Sequence, residues 1–176
     1  MNKPIFIDFE ASSINGYPIQ VAYGSCEADL KCLLIKPLEI WNNDTFMWDY
    51  NAEDMHGFTK DYLNEYGINA ATVAKEISED LKGKTIYADN GVDMNWLLML
   101  LDDVAELTGE TYPEPGFKLI SKLLYEHKVP ADITVKAQVE ADKKFRSHGL
   151  VAHKADADTL KHIWTWEAIQ GFMANK

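Results

Sequence analysis

Residues 4–8 (PIFID) form a short apolar run that ends in an acid, which reads as a buried strand. Residues 17–26 (YPIQVAYGSC) and 30–36 (LKCLLIK) alternate well enough for two further strands, joined tightly around Ala28 and Asp29. Consecutive strands with short connections predict an antiparallel meander. Residues 42–58 are irregular, apart from a helical turn at 51–56 that ends on His56 and Gly57. Helical spacing then takes over. A short helix is predicted over 59–66, with Thr59 as N-cap and Gly67 as stop. A second, over 69–81, repeats apolar residues at Val73, Ile77 and Leu81. Residues 84–88 (KTIYA) read as a strand, and 93–107 as a strongly apolar helix (Trp96, Leu97, Leu98, Leu100, Leu101, Val104) packed against the sheet. A turn-rich stretch at 109–116 precedes a strand at 117–120, helices at 121–127 and 131–145, a loop at 147–149 and a closing helix over 155–173. The order β-β-β-α-β-α-β-α predicts an α/β domain whose mixed sheet has an antiparallel meander, then parallel strands, flanked by helices.

At 176 residues, 47% hydrophobic and 26% charged, the chain suits one domain over 1–176 with a substantial core. The apolar stretch near the N-terminus, about five residues, is too short for a signal sequence or a membrane span, so a cytoplasmic protein without membrane contact is expected. Cys26 and Cys32 flank the predicted turn and are expected to be thiols facing each other across the hairpin rather than a disulfide. A net charge of −11, with one arginine among the 17 basic residues, argues against a protein that grips long nucleic acid through a basic face. Either the substrate is not a long polyanion, or local charge and bound metal overcome the global field.

Candidate chemistry falls in three separated stretches. Asp8 and Glu10 lie two apart at the end of the first strand, hence on one face, where open α/β sheets place ligands. Oxygen ligands of this kind favour magnesium or manganese. Asp93 opens the apolar helix, with Asp89 a rival nearer the strand end. His153 stands five residues ahead of Asp158, so a loop histidine and a helix acid can meet at one site; His148 and Asp156 compete with them. An imidazole titrating near 6.5 suits proton transfer from a metal-bound water.

Together the three stretches resemble the DEDDh branch of the 3′–5′ exonucleases, which includes bacterial proofreading exonuclease subunits and RNase T and has an RNase H-like fold. The D-x-E pair matches Asp8 and Glu10, NGVDMNWL selects Asp93 over Asp89, and HKADADT selects His153 and Asp158 over His148 and Asp156. MHGFTKDYL is similar to the family's His-Gly-Ile-Thr stretch, which makes His56 a candidate substrate contact. The resemblance implies two Mg2+ or Mn2+ ions, held by Asp8, Glu10, Asp93 and Asp158, and His153 as general base. It also implies a main chain at Ala11, Ser12 and Ser13 that approaches the terminal nucleotide, and release of nucleoside 5′-monophosphates from single-stranded RNA or DNA 3′ ends. The basic run KKFRSH adds Lys144 and Arg146 as candidate phosphate contacts. Some relatives of this fold are dimers; Trp164, Trp166 and Phe172 on the last helix suit a homodimer interface or the core equally. The alternatives are a non-catalytic nucleic-acid-binding or polymerase-docking module of the same fold, and a metal-dependent hydrolase of small phosphate esters. The complete set of five residues favours the exonuclease.

Overall fold

The computed structural model describes residues 3–43 and 47–174. β1 (Ile5–Ala11), β2 (Pro18–Gly24) and β3 (Lys31–Lys36) form the meander that the alternation predicts. β5 (Thr85–Ala88) runs parallel to β1, and β6 (Gly116–Leu119) parallel to β5. A short strand, β4 (Ile68–Asn69), adds a parallel edge beside β3, giving a six-stranded mixed sheet in the order β4-β3-β2-β1-β5-β6. Two residues are too few to show alternation, so β4 has no signature in the sequence. It depends on close approach at Gly67, where a Cβ would come within 2.6 Å of the Lys36 amide nitrogen.

Eight helices are described: α1 (Glu39–Asn42), α2 (Tyr50–His56), α3 (Lys60–Tyr66), α4 (Ala70–Leu81), α5 (Val92–Thr108), α6 (Ile120–Glu126), α7 (Ala131–Ser147) and α8 (Ala155–Ala174). Thr59 caps α3 through its hydroxyl, as the sequence suggests, and Asn69 caps α4. The helical turn expected at 51–56 is α2, which ends at His56 with Gly57 as its cap, and α1 ends at Asn42; residues 44–46 lie outside the described residues.

The pleat of β1 sorts its side chains between two layers. Ile7 and Phe9 enter the larger core with Val73, Ile77 and Leu81 of α4 and Leu97, Leu100 and Leu101 of α5. Phe6 points the other way, into a cluster with Ile163 and Trp164 of α8. Asp8 and Glu10 share the parity of Phe6, so the strand carries both acids towards α8. Small buried residues let α8 settle onto the sheet. The Thr159 hydroxyl donates to the Ala22 carbonyl at 3.2 Å, and the Ala155 amide donates to Gln20 Oε1 at 2.9 Å.

α8 is covered on its far side by α7, which explains its apolar residues all round. Trp164 is buried, and the half-buried Trp166 and Phe172 pack among α6, α7 and α8. The cysteines do not face each other. Cys32 stands opposite Ala22 in the β2–β3 register, whereas Cys26 lies beyond the strand at the start of a 3₁₀ turn, Glu27–Asp29, that lengthens the connection. Both are free thiols.

Candidate active site

The end of β1 is where three elements meet. β5 pairs with β1 only as far as Phe6 and then diverges, leaving the Phe9 amide unpaired on that edge. The first turn of α5 takes its place: the Phe9 N–H donates to Asp93 Oδ1 at 3.1 Å. The Asp93 side chain is buried, and its Oδ2 has no hydrogen-bond partner. A buried carboxylate oxygen left in that state is costly unless a cation satisfies it.

α8 supplies the opposite wall. Asp158 Oδ2 accepts the His153 amide at 2.8 Å, which ties the loop to the helix it precedes. His153 has a left-handed backbone (φ 62°), a conformation that costs a non-glycine residue about 1 kcal/mol and persists only where the surroundings enforce it. Lys154 provides further restraint, its ammonium bonded to the His56 carbonyl and lying 3.6 Å above the Phe58 ring. The His153 side chain is thus held out at the mouth of the site, exposed, with Asp158 directly behind it.

Asp8, Glu10, Asp93, Asp158 and His153 line one cavity of about 740 Å³, together with Asp89, Trp96, Lys161 and His162. Packing this many acids together leaves its mark. Burial, then the charges of Asp93, Asp158, Glu10 and Asp89, hold the Asp8 carboxyl well above its usual range. Burial and Asp158 push Glu10 up to about 7, with Lys154 opposing. Burial and Asp89 push Asp93 up to about 7 against its bond from Phe9. A divalent cation reverses the sign of this repulsion. Ligand atoms of Glu10, His153 and Asp158 lie within 4.8 Å of one another, as do those of Asp8, Asp89 and His162. The residues therefore fit a divalent metal.

Other residues singled out from the sequence sit elsewhere. Ala11 follows a bulge after Glu10. Ser12 is consumed structurally: its amide donates to Tyr17, its hydroxyl to the Met47 carbonyl, and its carbonyl accepts from Asp49. The Ser13 carbonyl accepts the Gly16 amide at 3.0 Å, Ala11 pairs with Pro18 in the β1–β2 register, and none of Ala11, Ser12 and Ser13 lines the cavity. Gly16 closes this loop, since a Cβ would fall 2.5 Å from the Met47 oxygen. His56 is buried beside Trp48 and Phe58 with Nε2 unpartnered; burial, then Lys154, push it down to about 4. It lies outside the cavity lining, as do Lys144 and Arg146. Lys144 pairs with Glu27 at 3.2 Å and lies over Trp164, whereas the exposed Arg146 side chain has no ion pair among the described residues. His148 is turned towards Trp164 and the Lys144 carbonyl. Asp156 is absent from the lining, but Asp89, the other rival acid, belongs to it.

Sequence reasoning missed His162 and Lys154. A signal existed for the first, because His162 is four residues beyond Asp158 and so shares its helix face. Lys154 offered none, since its partners come from distant parts of the chain.

No family model and no curated protein matches the chain. Solved structures do match it. The zinc-bound form of E. coli exonuclease I in complex with single-stranded DNA superposes with a TM-score of 0.63 at 15% identity, over 98% of this chain and 42% of that one. The same enzyme with a dA16 oligonucleotide gives 0.61 at 15% identity, over 95% and 40%. Exonuclease I from Methylocaldum szegediense gives 0.54 at 16%, over 97% and 42%. The fold is the RNase H-like fold of the exonucleases. The chain spans about two fifths of the length of these exonuclease I proteins. The shared exonuclease architecture is the six-stranded mixed sheet with helices on its faces.

Proposed function

We propose that this chain is a metal-dependent 3′–5′ exonuclease of the DEDDh type, acting on single-stranded RNA or DNA ends. The observation that carries the reading is the convergence of four carboxylates and His153 on one cavity, with a buried Asp93 oxygen that lacks a partner. Asp8, Glu10 and Asp158 would hold the tighter of two magnesium or manganese ions, Asp8 would bridge to the second, and Asp93 would support it. Bound ions supply an activated water at neutral pH and stabilise charge on the leaving oxygen. His153 takes the proton of the attacking water as the new P–O bond forms and the bond to the 3′ oxygen of the preceding nucleotide breaks. The products are a nucleoside 5′-monophosphate and a strand one residue shorter, ending in a 3′-hydroxyl.

The cavity volume supports a strand end as substrate, because it lies within the range of small-molecule sites. Trp96 offers a face for the terminal base. Arg146, whose charge is not spent on an internal pair, is the better of the two candidate phosphate contacts. Incubating the protein with 5′-labelled single-stranded RNA and DNA, with Mg2+, with Mn2+ and with chelator, tests the reading. A ladder that shortens from the 3′ end, and is lost with chelator and in Asp8→Asn, is expected. Binding without shortening would instead favour the non-catalytic module, and internal cuts or activity on monomers alone would rule out an exonuclease.

A further inference from the structure

We propose that the part of the cavity enclosed by α6, α7 and α8 is a subsite for the nucleoside that leaves when the terminal phosphodiester is hydrolysed, so that a good substrate carries a nucleoside on each side of that phosphate. Which bond is cut rests on the exonuclease reading; the subsite is read from its lining. The acids occupy only one end of the cavity. Along α8 the lining follows one face through Asp158, His162, Trp166 and Ile169, three or four residues apart. From Asp158 to Ile169 the helix rises about 16 Å, so the cavity continues well beyond the carboxylates. Its volume of about 740 Å³ lies in the upper part of the range of roughly 300–1,000 Å³ found for small-molecule sites.

The two ends differ in chemistry. Asp8, Glu10, Asp89, Asp93 and Asp158 crowd the first, with Trp96 of α5 in the same lining. The far end is closed by Ile120 and Leu124 of α6 and by Trp166 and Ile169 of α8, with Ser121 and Gln138 at its rim, and it contains no acid. Lys161, between Asp158 and Trp166 on α8, is already paired with Asp142 at 2.7 Å. A neutral wall of aromatic and aliphatic carbon, edged by a hydroxyl and an amide, matches a base and its sugar and offers nothing to a free phosphate.

This wall is set before a ligand arrives. The Trp166 ring stands at 78° to that of His127, with centroids 5.0 Å apart, which fixes its orientation. The exposed side chains of Ser121 and Gln138 make no hydrogen bond to protein among the described residues, so both are available to a sugar hydroxyl or a base edge. The polarity of the cut then assigns the ends. The scissile phosphate belongs at the acids and the terminal base on Trp96. The nucleoside joined through its 3′ oxygen is left the end that neither the acids nor Trp96 line.

Two substrates that share the terminal nucleoside and phosphate separate the halves of the cavity. Hydrolysis of the dinucleotide TpT breaks the P–O bond to the 3′ oxygen of the first thymidine. Hydrolysis of the 4-nitrophenyl ester of thymidine 5′-monophosphate breaks the P–O bond to nitrophenolate. Water supplies the new oxygen in both, and both release thymidine 5′-monophosphate. kcat and KM are measured on the full chain with Mn2+ for the wild type, Trp166→Leu and Ser121→Trp, with circular dichroism to verify folding. Ser121 is exposed, so its replacement fills the far end without displacing a packed side chain. Each variant should raise the KM of TpT relative to that of the ester by roughly tenfold, the size expected for one stacked base. Equal changes with both substrates, or none with either, in a folded variant would overturn the subsite and leave the exonuclease reading in place. If neither substrate is cleaved, the exonuclease reading falls and titration calorimetry of TpT with Mn2+ decides the subsite: wild-type binding that Ser121→Trp weakens upholds it, and absent or unchanged binding removes it. Cleavage of the ester alone would refute both.

Discussion

Asp93→Asn should stabilise the metal-free protein at pH 8, although it removes a residue from the proposed active site. The wild-type carboxyl is pushed from its ordinary 3.8 to about 7, by burial first and then by Asp89. Between those values the folded state holds a proton that the unfolded chain has released. Stability is thus fully present below about pH 4, falls as pH rises, and is lost above about 7. At roughly 1.4 kcal/mol per decade in proton affinity, the nominal cost above pH 7 is about 4 kcal/mol. Water in the cavity screens part of this, so about 1–3 kcal/mol is expected. Asparagine keeps the oxygen that accepts the Phe9 amide and never ionises. Urea denaturation in chelator at pH 8 should therefore give Asp93→Asn a higher midpoint with an unchanged slope, and at pH 4 the two proteins should nearly coincide. Adding Mn2+ should raise the wild type more than the variant, because binding to the folded state alone adds stability by mass action. A variant less stable than wild type at pH 8 in chelator, or a difference that does not vary with pH, would refute the electrostatic account.

Two further outcomes follow from the site. His153→Ala should bind metal nearly as well as wild type but lose about 10²–10⁴-fold in kcat; a large fall in ion affinity by calorimetry would make His153 a ligand instead, as its closeness to Glu10 and Asp158 allows. Arg146→Glu should raise KM for an oligonucleotide of several residues and leave kcat unchanged, with a larger effect than Lys144→Glu, whose wild-type charge is already paired with Glu27. Equal KM values for wild type and Arg146→Glu would remove the end of α7 from the substrate path.

Much of this architecture is legible from local pattern. Val73, Ile77 and Leu81 announce α4 because a helix core face repeats every three to four residues, and the meander shows in the alternation of β2 and β3. The pair Asp8 and Glu10 could be assigned to one face from the pleat alone, and the family register adds Asp93, His153 and Asp158. Each of these signals is periodic or contiguous, so it survives in one dimension. Other features are not of that kind. β4 is two residues long and exists through pairing, the cysteines are separated by a 3₁₀ turn that the alternation overran, and Ser12 is spent on partners 5 and 35 residues away. The same holds for Lys154, which restrains the His153 loop through a carbonyl 98 residues distant. It holds too for Asp89, set aside in favour of Asp93 on register yet brought into the same cavity. Sequence by itself determined which residues could bear charge on which face, because that depends only on the pitch of strand and helix. Tertiary structure decided which charges share a cavity, which are already paired, and which buried oxygen has no partner, because these are properties of distances between elements that no spacing along the chain encodes.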